Sequence, residues 1–273
     1  PYMVLQDACY QHTTFYLGLL EMLAGMAVDV KFISFDDVLR GELVNYDVVI
    51  NGGDADTAFC GGSAWKNAEI CEKVRAYVYA GGGLIGIGEP TAVLANGRFF
   101  QLADVLGVDE EKSFSMSRYK YNRETVSGHF ILEDCKGAVD YNGGVQNVYA
   151  LEGAAILDKR TEDRLGVDIG AFHVKLAVNE YGAGRAVYLA GCKHSVQNTR
   201  LLLRAILWVA GKEKDLCRAF SQNPDTECHY YPERGLYALV NNTGERAETA
   251  FFDTNGKEST ISLQPYELKW IQA

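Results

Sequence analysis

The glycine-rich run at residues 81–90, GGGLIGIGEP, constrains the fold of this chain most. Three consecutive glycines stop a helix, residues 84–87 are apolar and suit a short buried strand, and Pro90 ends that strand. In open α/β sheets, ligands bind at the loop that follows such a strand. This loop carries one carboxylate, Glu89, and no cysteine, serine or lysine nucleophile. The sequence therefore predicts where a site lies more clearly than what reaction it performs.

The segments before this run alternate between strand and helix patterns. Residues 28–34 and 46–51 have the apolar spacing of strands, and Ser63 is placed to cap a helix that ends near Ala80. This alternation predicts an α/β fold with a flavodoxin-like open sheet. Since the first element has a helical pattern, the sheet would lack its first strand if the chain begins inside a domain. In flavodoxin-like order that strand is internal, so its loss would leave a gap between its neighbours.

The segments after the run complete the α/β part and then change in character. Strands are predicted at 129–132, 148–157 and 175–178, and a turn at 182–184 predicts a hairpin into residues 185–190. Residues 195–210 are apolar nearly all round, which is typical of a buried helix. Short strands at 236–240, 249–252, 259–263 and 267–271, joined by turns such as Asn-Gly, then predict a small antiparallel β domain. The predicted domains are residues 1–215 and 216–273.

Charge and cysteine usage exclude several classes of function. The chain has 26 basic and 36 acidic residues, a formal net charge of −10, which argues against nucleic acid or an anionic membrane as a partner. No run of about 18 apolar residues is present, so no membrane span is predicted. Seven scattered cysteines, never spaced as CxxC, indicate free thiols in a reducing cytoplasm and no metal site.

Three predicted loops follow strands and carry the candidate site residues Asp54, Glu89 and His194. Their layout resembles the class I glutamine amidotransferases, in which a Gly-x-Cys-x-Gly elbow follows one strand and His-Pro-Glu follows a later hairpin. Here Gly88 stands at the elbow and Ser195 follows the histidine, so the nucleophile and the glutamate are both missing. Covalent catalysis requires a nucleophile beside a base, and glutaminase activity is therefore excluded. The position of His194 favours the alternative interpretation, a helix-start residue that has no chemical role.

Other polar groups have alternative explanations. Arg118 lies in the run RYKYNR, where basic and aromatic side chains could hold a sugar or a phosphate; a solvated loop or a subunit contact explains the same run. The adjacent carboxylates at 36–37 and 110–111 are interpreted as surface charges, because catalytic carboxylates face each other across a substrate. Cys192 precedes His194 by two residues and is interpreted as structural.

Several short strings occur in one order along nearly the whole chain: FISFDD at 32–37, GGGLIGIGEP at 81–90, GRFFQLAD at 97–104, HFIL at 129–132, YALEG at 149–153, AVNE at 177–180, RAILW at 204–208, VNNT at 240–243 and LKW at 268–270. In that order they closely resemble the galacto-N-biose/lacto-N-biose phosphorylases and their galactosyl-rhamnose relatives. Each string alone is unspecific. In that family a TIM-barrel domain carrying the general acid comes first, followed by an amidotransferase-like domain and a β domain.

This resemblance implies that the chain is the central and C-terminal part of a cytoplasmic, inverting β-galactoside phosphorylase. Inorganic phosphate is the co-substrate, no metal or organic cofactor is expected, and the products are α-galactose 1-phosphate and a free sugar. The expected partners are the TIM-barrel domain of the same chain, the galactoside, and a second copy in a homodimer. The family's catalytic aspartate has no counterpart here, so no catalytic residue is assigned and the segment alone is expected to be inactive. The alternative function is a stand-alone sugar-binding or assembly module with a degenerate amidotransferase fold.

Overall fold

The computed structural model describes residues 10–55, 57, 59–95, 97–112, 123–145, 147–164 and 167–273. Its α-helices are α1 Tyr10–Ala24, α2 Phe35–Arg40, α3 Ala68–Tyr79, α4 Ala103–Leu106 and α5 Val196–Val209. Its strands are β1 Val48–Gly53, β2 Gly83–Gly88, β3 Ala92–Ala95, β4 Arg98–Phe100, β5 Val108–Glu110, β6 Val148–Ala150, β7 Ala155–Arg164, β8 Val167–Tyr181, β9 Gly184–Leu189, β10 Phe220–Ser221, β11 Thr226–Tyr231, β12 Leu236–Asn241, β13 Ala247–Phe252, β14 Glu258–Leu263 and β15 Leu268–Gln272. Within these ranges, no helix combines the length and apolarity needed to span a bilayer.

A mixed five-stranded sheet forms the larger part of the molecule, with the order β1-β2-β9-β8-β7. Strands β1, β2 and β9 are parallel to one another, whereas β8 pairs antiparallel with both β9 and β7. The predicted α/β class is confirmed, and so is the hairpin turn, which joins β8 to β9. The sheet is mixed because this hairpin reverses the chain without a crossover helix.

Helices cover both faces of the sheet and divide its core into two clusters. On one face, α2 and α3 pack against Leu84 of β2; on the other, α1 and α5 pack against Ile85 and Ile87 of the same strand. Every residue of β2 is buried. A strand covered on both faces is expected to be continuously apolar, which explains why the sequence signal at residues 84–87 was reliable.

Four predicted elements are wrong in type, extent or position. The strand predicted at 148–157 is divided into β6 and β7 by a turn. Residues 28–34 form no strand, because no neighbouring strand pairs with them in the described chain. Residues 129–132 form a 3₁₀ turn, Phe130–Leu132, in which His129 Nδ1 accepts a hydrogen bond from the backbone N–H of Ile131. The helix α3 is capped by Asn67 rather than by Ser63, which lies inside the 3₁₀ turn Gly62–Lys66.

The C-terminal residues form two three-stranded antiparallel sheets, β10-β13-β14 and β11-β12-β15. The four strands predicted there between residues 236 and 271 are all present. Tyr237, Leu239, Phe251 and Leu263 are buried between the sheets. The predicted domain boundary falls just after the 3₁₀ turn Glu213–Asp215.

The helix α5 connects the two parts. Its predicted burial is confirmed, but two arginines are buried with its apolar residues. Arg200 donates a 2.8 Å hydrogen bond to the Ser221 carbonyl and lies 4.2 Å from the ring centroid of Phe220. Arg204 donates to the Phe130 carbonyl at 3.0 Å and pairs with Asp134 at 2.5 Å. Buried guanidinium groups are tolerated because their donors are satisfied in this way.

Candidate functional site

The carboxyl ends of β1 and β2 meet at a backbone contact that only glycine permits. The N–H of Glu89 donates a 2.8 Å hydrogen bond to the carbonyl of Gly53. Gly88 has a φ of +78°, and a Cβ atom there would lie 2.9 Å from that carbonyl oxygen. The two strand-end loops are therefore held side by side, as the sequence predicted for the loops after parallel strands.

Glu89 points inward and is bound on both sides. Its Oε2 accepts a 2.5 Å hydrogen bond from the backbone N–H of Ala55, and its Oε1 pairs with the ammonium of Lys112. Its side chain is only 13% exposed. Lys112 lies 4.2 Å from the ring centroid of Phe99, which orients the ammonium toward the carboxylates.

A second carboxylate, Glu110, joins the same cation. Its Oε1 lies 2.9 Å from Nζ of Lys112, and its Oε2 is buried without a hydrogen-bond partner among the described residues. Burial, reinforced by the negative charge of Glu89 and opposed by Lys112, raises the pKa of Glu110 to about 7. The interpretation of residues 110–111 as surface charges is wrong for Glu110, which strand β5 places in the interior. Glu89, Glu110 and Lys112 are named the carboxylate cluster below.

This arrangement can exchange a proton near neutral pH. Two carboxylates share one ammonium, and burial together with the negative charge of Glu89 favours the protonated form of Glu110. Beside the cluster, Glu110 and Lys112 line a cavity of about 620 Å³ together with Leu94, Arg98, Phe99 and Tyr149. A cavity of this size with polar groups and aromatic rings fits a small polar ligand.

The loop after β2 is braced on its far side by Thr91, a β-branched residue with a φ of +55°. Its N–H donates a 2.8 Å hydrogen bond to Oδ1 of Asn51, and its hydroxyl accepts a hydrogen bond from the N–H of Leu102 at 3.3 Å. A left-handed conformation is costly for threonine and persists where surrounding contacts enforce it. Backbone strain next to Glu89 supports the hypothesis that this loop is a functional site.

The sequence-predicted residues lie in different places. Asp54 directly follows β1 and precedes the Ala55 N–H that binds Glu89, so Asp54 and Glu89 do belong to adjacent loops. His194 lies five residues beyond β9 and is half exposed, with Nδ1 3.5 Å from the carboxylate of Glu21 on α1. Among the described residues, His194 makes this ion pair with Glu21 rather than one with Glu89, whose carboxylate is bound by Ala55 and Lys112. Arg118 lies outside the described residues.

Cys192 is a buried structural residue. Its sulfur lies 3.5 Å from the sulfur of Met22, and burial raises the pKa of its thiol to about 12. A thiol with that pKa is protonated at neutral pH and is a poor nucleophile. Over the ranges that the structure describes, no three His, Cys, Asp or Glu side chains are grouped as metal ligands.

Glu110 and Lys112 are the members of the carboxylate cluster that sequence reasoning missed. One signal was available, because residues two apart in an extended chain point to the same side. The run VDEEKS at 108–113 nevertheless has the composition of a solvated loop. The burial of residues 108–110 depends on β4 and β6, which pack against β5 from other parts of the sequence.

Comparison with protein-family models gives two matches that together span nearly the whole chain. Residues 2–214 match the model described as the lacto-N-biose phosphorylase central domain, and residues 220–271 match that of its C-terminal domain. A 1,3-β-galactosyl-N-acetylhexosamine phosphorylase of Lachnoclostridium phytofermentans is 43% identical over 99% of this chain, and the match covers 36% of that protein. One from Bifidobacterium longum subsp. longum is 37% identical over 96% of this chain and 38% of its own length.

A D-galactosyl-β-1→4-L-rhamnose phosphorylase of Lachnoclostridium phytofermentans is 34% identical over 88% of this chain, which covers 31% of that protein. The chain thus spans about a third of the length of these relatives. Among solved structures, a β-galactosidase from Rahnella sp. R3 superposes with a TM-score of 0.54 at 19% identity, over 92% of this chain and 36% of that one. The GH42 β-galactosidase Gan42B superposes with a TM-score of 0.54 at 16% identity, over 98% and 37%. At this identity the two likenesses concern the fold alone.

Proposed function

The chain belongs to the lacto-N-biose phosphorylase family, and we propose on that basis that it is the central and C-terminal part of a β-galactoside phosphorylase. The full-length protein would convert galactosyl-β-1,3-N-acetylhexosamine, or galactosyl-rhamnose, and inorganic phosphate into α-galactose 1-phosphate and a free sugar. A phosphate oxygen bonds to the galactosyl anomeric carbon with inversion, the glycosidic bond breaks, and a carboxylic acid protonates the departing sugar oxygen. The observation that carries this proposal is 43% identity to such a phosphorylase along 99% of the chain.

In this proposal the two halves of the reaction machinery lie in different domains. The general acid and most of the sugar site belong to a TIM-barrel domain of the same polypeptide, and the carboxylate cluster forms part of the rim that the central domain contributes. The strand-end loops contain no nucleophile beside a base, which supports a non-catalytic role. We propose a homodimer in the cytoplasm, with phosphate as the co-substrate and without a metal or organic cofactor.

An activity assay tests whether the general acid lies outside this chain. The full-length protein and the 273-residue chain are each incubated with phosphate and lacto-N-biose, galacto-N-biose or galactosyl-rhamnose, and galactose 1-phosphate is measured. We expect product from the full-length protein and none above background from the 273-residue chain. Product from the chain alone would contradict the location of the general acid, and no product from either would contradict the proposed function.

A second candidate function is a stand-alone sugar-binding module with an amidotransferase-like fold. It is supported by the parallel strands β1, β2 and β9, by the glycine at the elbow position, and by the cavity of about 620 Å³ beside the carboxylate cluster. Calorimetric titration of the 273-residue chain with galactose, N-acetylglucosamine and phosphate tests it. Heat with a saturable profile favours a binding module, and flat titrations with all three ligands count against it.

A further inference from the structure

The loop between β2 and β3 is held by hydrogen bonds to residues outside it. Residues 89–91 form this loop, which is named the Glu89 loop. The N–H of Glu89 donates to the Gly53 carbonyl at 2.8 Å, and the N–H of Thr91 donates to Oδ1 of Asn51, also at 2.8 Å. Buried backbone groups need hydrogen-bond partners, and both of these partners lie on β1. The conformation of the loop therefore depends on residues that precede it in the chain.

Cys60, in the connection from β1 to α3, binds both ends of the Glu89 loop with one thiol. Its Sγ donates a 3.0 Å hydrogen bond to the Glu89 carbonyl and accepts one from the N–H of Ala92 at 3.3 Å. The side chain of Cys60 is fully buried. A thiol can donate one hydrogen bond and accept another, so a single sulfur atom spans the loop from its first residue to the first residue of β3.

The main chain of Cys60 is itself fixed by two side chains. Its carbonyl accepts hydrogen bonds from Nε1 of Trp65 at 2.6 Å and from Nδ2 of Asn51 at 3.0 Å. Because Asn51 also binds the Thr91 N–H through Oδ1, one amide side chain connects Cys60 to the far end of the Glu89 loop. Trp65 is only 4% exposed. These contacts give the thiol a defined position in the interior.

The segment that contains Cys60 also binds the side chain of Glu89. Ala55, whose N–H donates to Oε2 of Glu89, precedes Cys60 by five residues. Thr57 joins the two parts of this segment, because its hydroxyl donates to the Asp54 carbonyl at 2.6 Å and accepts from the Cys60 N–H at 3.4 Å. The carbonyl and the carboxylate of Glu89 are therefore bound by one folded segment. A shift of the main chain would change the position of the carboxylate.

We propose that Cys60 is a positioning residue for phosphorolysis in the full-length protein, and that its thiol holds the Glu89 loop where the Glu89 carboxylate contributes to the reaction. This inference rests on the proposed function. Cys60 acts through Glu89 rather than on a substrate, because its side chain is fully buried and the cavity beside the carboxylate cluster is lined by other residues. Without the thiol, the Glu89 carbonyl and the Ala92 N–H would each lose a partner. A displacement of about 1 Å can lower a rate by up to about 100-fold.

Steady-state kinetics of the full-length protein test this role. Cys60→Ala removes both hydrogen bonds of the thiol, whereas Cys60→Ser keeps a group that donates and accepts. We expect Cys60→Ala to lower kcat/KM about fivefold, and Cys60→Ser to recover most of that loss. The matched control is Cys228→Ala, which removes a buried thiol from the C-terminal sheets and should leave kcat/KM unchanged. Unaltered kinetics in Cys60→Ala, or an equal loss in the control, would overturn the inference.

A second variant serves if Cys60→Ala does not fold. Trp65→Phe keeps an aromatic ring but removes the N–H that binds the Cys60 carbonyl. Because the thiol is then held less firmly, we expect kcat/KM to fall about threefold. Wild-type kinetics in Trp65→Phe would overturn the inference in that case.

A double-mutant cycle with Glu89→Gln distinguishes positioning from a general effect on stability. If Cys60 acts through Glu89, then Cys60→Ala, or Trp65→Phe in its place, should cost less than about twofold in kcat/KM once Glu89→Gln is present, since residues in one network are not additive. An equal cost in both backgrounds, or no effect of Glu89→Gln itself, would overturn the inference while the proposed function stands. Absence of product from the wild-type protein would contradict the proposed function and the inference together.

Discussion

The backbone N–H of Glu89 donates its hydrogen bond to the carbonyl of Gly53 over 2.8 Å, which fixes the end of β2 against the end of β1. The hydroxyl of Tyr188 on β9 adds a 3.2 Å hydrogen bond to the carbonyl of Gly88. Three parallel strands are therefore joined at their carboxyl ends, around the loop that carries Glu89. These backbone contacts fix the main chain of the residue that carries this carboxylate, and the Ala55 N–H and Lys112 then hold its side chain.

Replacing Gly88 by alanine tests how closely the backbones at the ends of β1 and β2 approach each other. An alanine at this position would be strained, because the backbone has a φ of +78°. Its Cβ would also clash with the Gly53 carbonyl oxygen, at 2.9 Å. Gly97 is a matched control, with a φ of +72° and nothing within 4 Å of its Cβ position. We expect Gly97→Ala to lower the free energy of unfolding by about 1 kcal/mol and Gly88→Ala by roughly 3 kcal/mol. Urea denaturation measures both, and equal losses would show that no close contact exists at Gly88.

The raised pKa of Glu110 makes stability depend on pH. The pKa of Glu110 is about 7 in the folded chain, whereas a glutamate in the unfolded chain has the ordinary value of 4.5. Folding therefore favours the protonated carboxyl. The stabilisation is complete below pH 4.5 and is lost as the pH rises through about 7. Glu110→Gln removes this dependence, so between pH 5 and pH 8 wild type should lose up to about 3 kcal/mol relative to the variant. Thermal melts across this range measure the difference.

The control for Glu110 is Glu233→Gln, since Glu233 is an exposed glutamate on the turn Pro232–Arg234. Its melting temperature should follow that of wild type at every pH. If the Glu110→Gln curve also remained parallel to that of wild type, the pKa of Glu110 would not be raised in the folded chain, and its assignment as the proton-exchanging group of the carboxylate cluster would be wrong.

Removing Arg200 tests the junction between the two parts. Burial lowers the pKa of its guanidinium to about 10, and its hydrogen bond to the Ser221 carbonyl would be lost in Arg200→Ala. We expect this variant to lose about 3 kcal/mol of unfolding free energy, because a buried acceptor and the ring of Phe220 lose their partner. Arg218→Ala, which removes a 60% exposed arginine paired with Asp215, should cost less than about 1 kcal/mol. Calorimetry measures the unfolding free energy of both variants. Equal losses would indicate that Arg200 does not hold the C-terminal sheets.

Glu89→Gln in the full-length protein tests whether the loop contributes to phosphorolysis. Glutamine retains an oxygen for the Ala55 N–H but loses the charge that pairs with Lys112. We expect kcat/KM to fall by about tenfold, which corresponds to roughly 1.4 kcal/mol of transition-state stabilisation. Glu72→Gln, at a 72% exposed position on α3, is the control and should leave kcat/KM unchanged. Unaltered kinetics in Glu89→Gln would show that the loop is structural.

The sequence was most informative where structure depends on local chemistry. The helix α5, the strand β2 and the hairpin turn at 182–184 carry their apolar spacing, caps and glycines within a few residues. Residues 28–34 have the spacing of a strand, but a strand also needs a paired neighbour, and that partner cannot be read from the segment itself. The prediction of a gap beside them came from strand order, which local pattern does not contain.

The candidate site was predicted only in part, for a related reason. Glu89 and Asp54 could be located, because each follows a recognisable strand. Glu110 could not, because its burial depends on the packing of β4 and β6 against β5, which carries a run of charged residues. Charge in a sequence indicates solvent exposure on average, and a carboxylate held in the interior is the exception that requires tertiary contacts.

The helix α5 has a consequence for any attempt to exchange parts between related proteins. One side of it fills the space beneath β2 and β9, and its two buried arginines bind the 3₁₀ turn at Phe130 and the first strand of the C-terminal sheets. In a chimera joined near residue 215, Arg200 and the Ser221 carbonyl would come from different parent proteins, although the junction cuts no helix or strand. A functional graft has to carry α5 and β10 as one unit, so the practical unit of exchange begins before the helix.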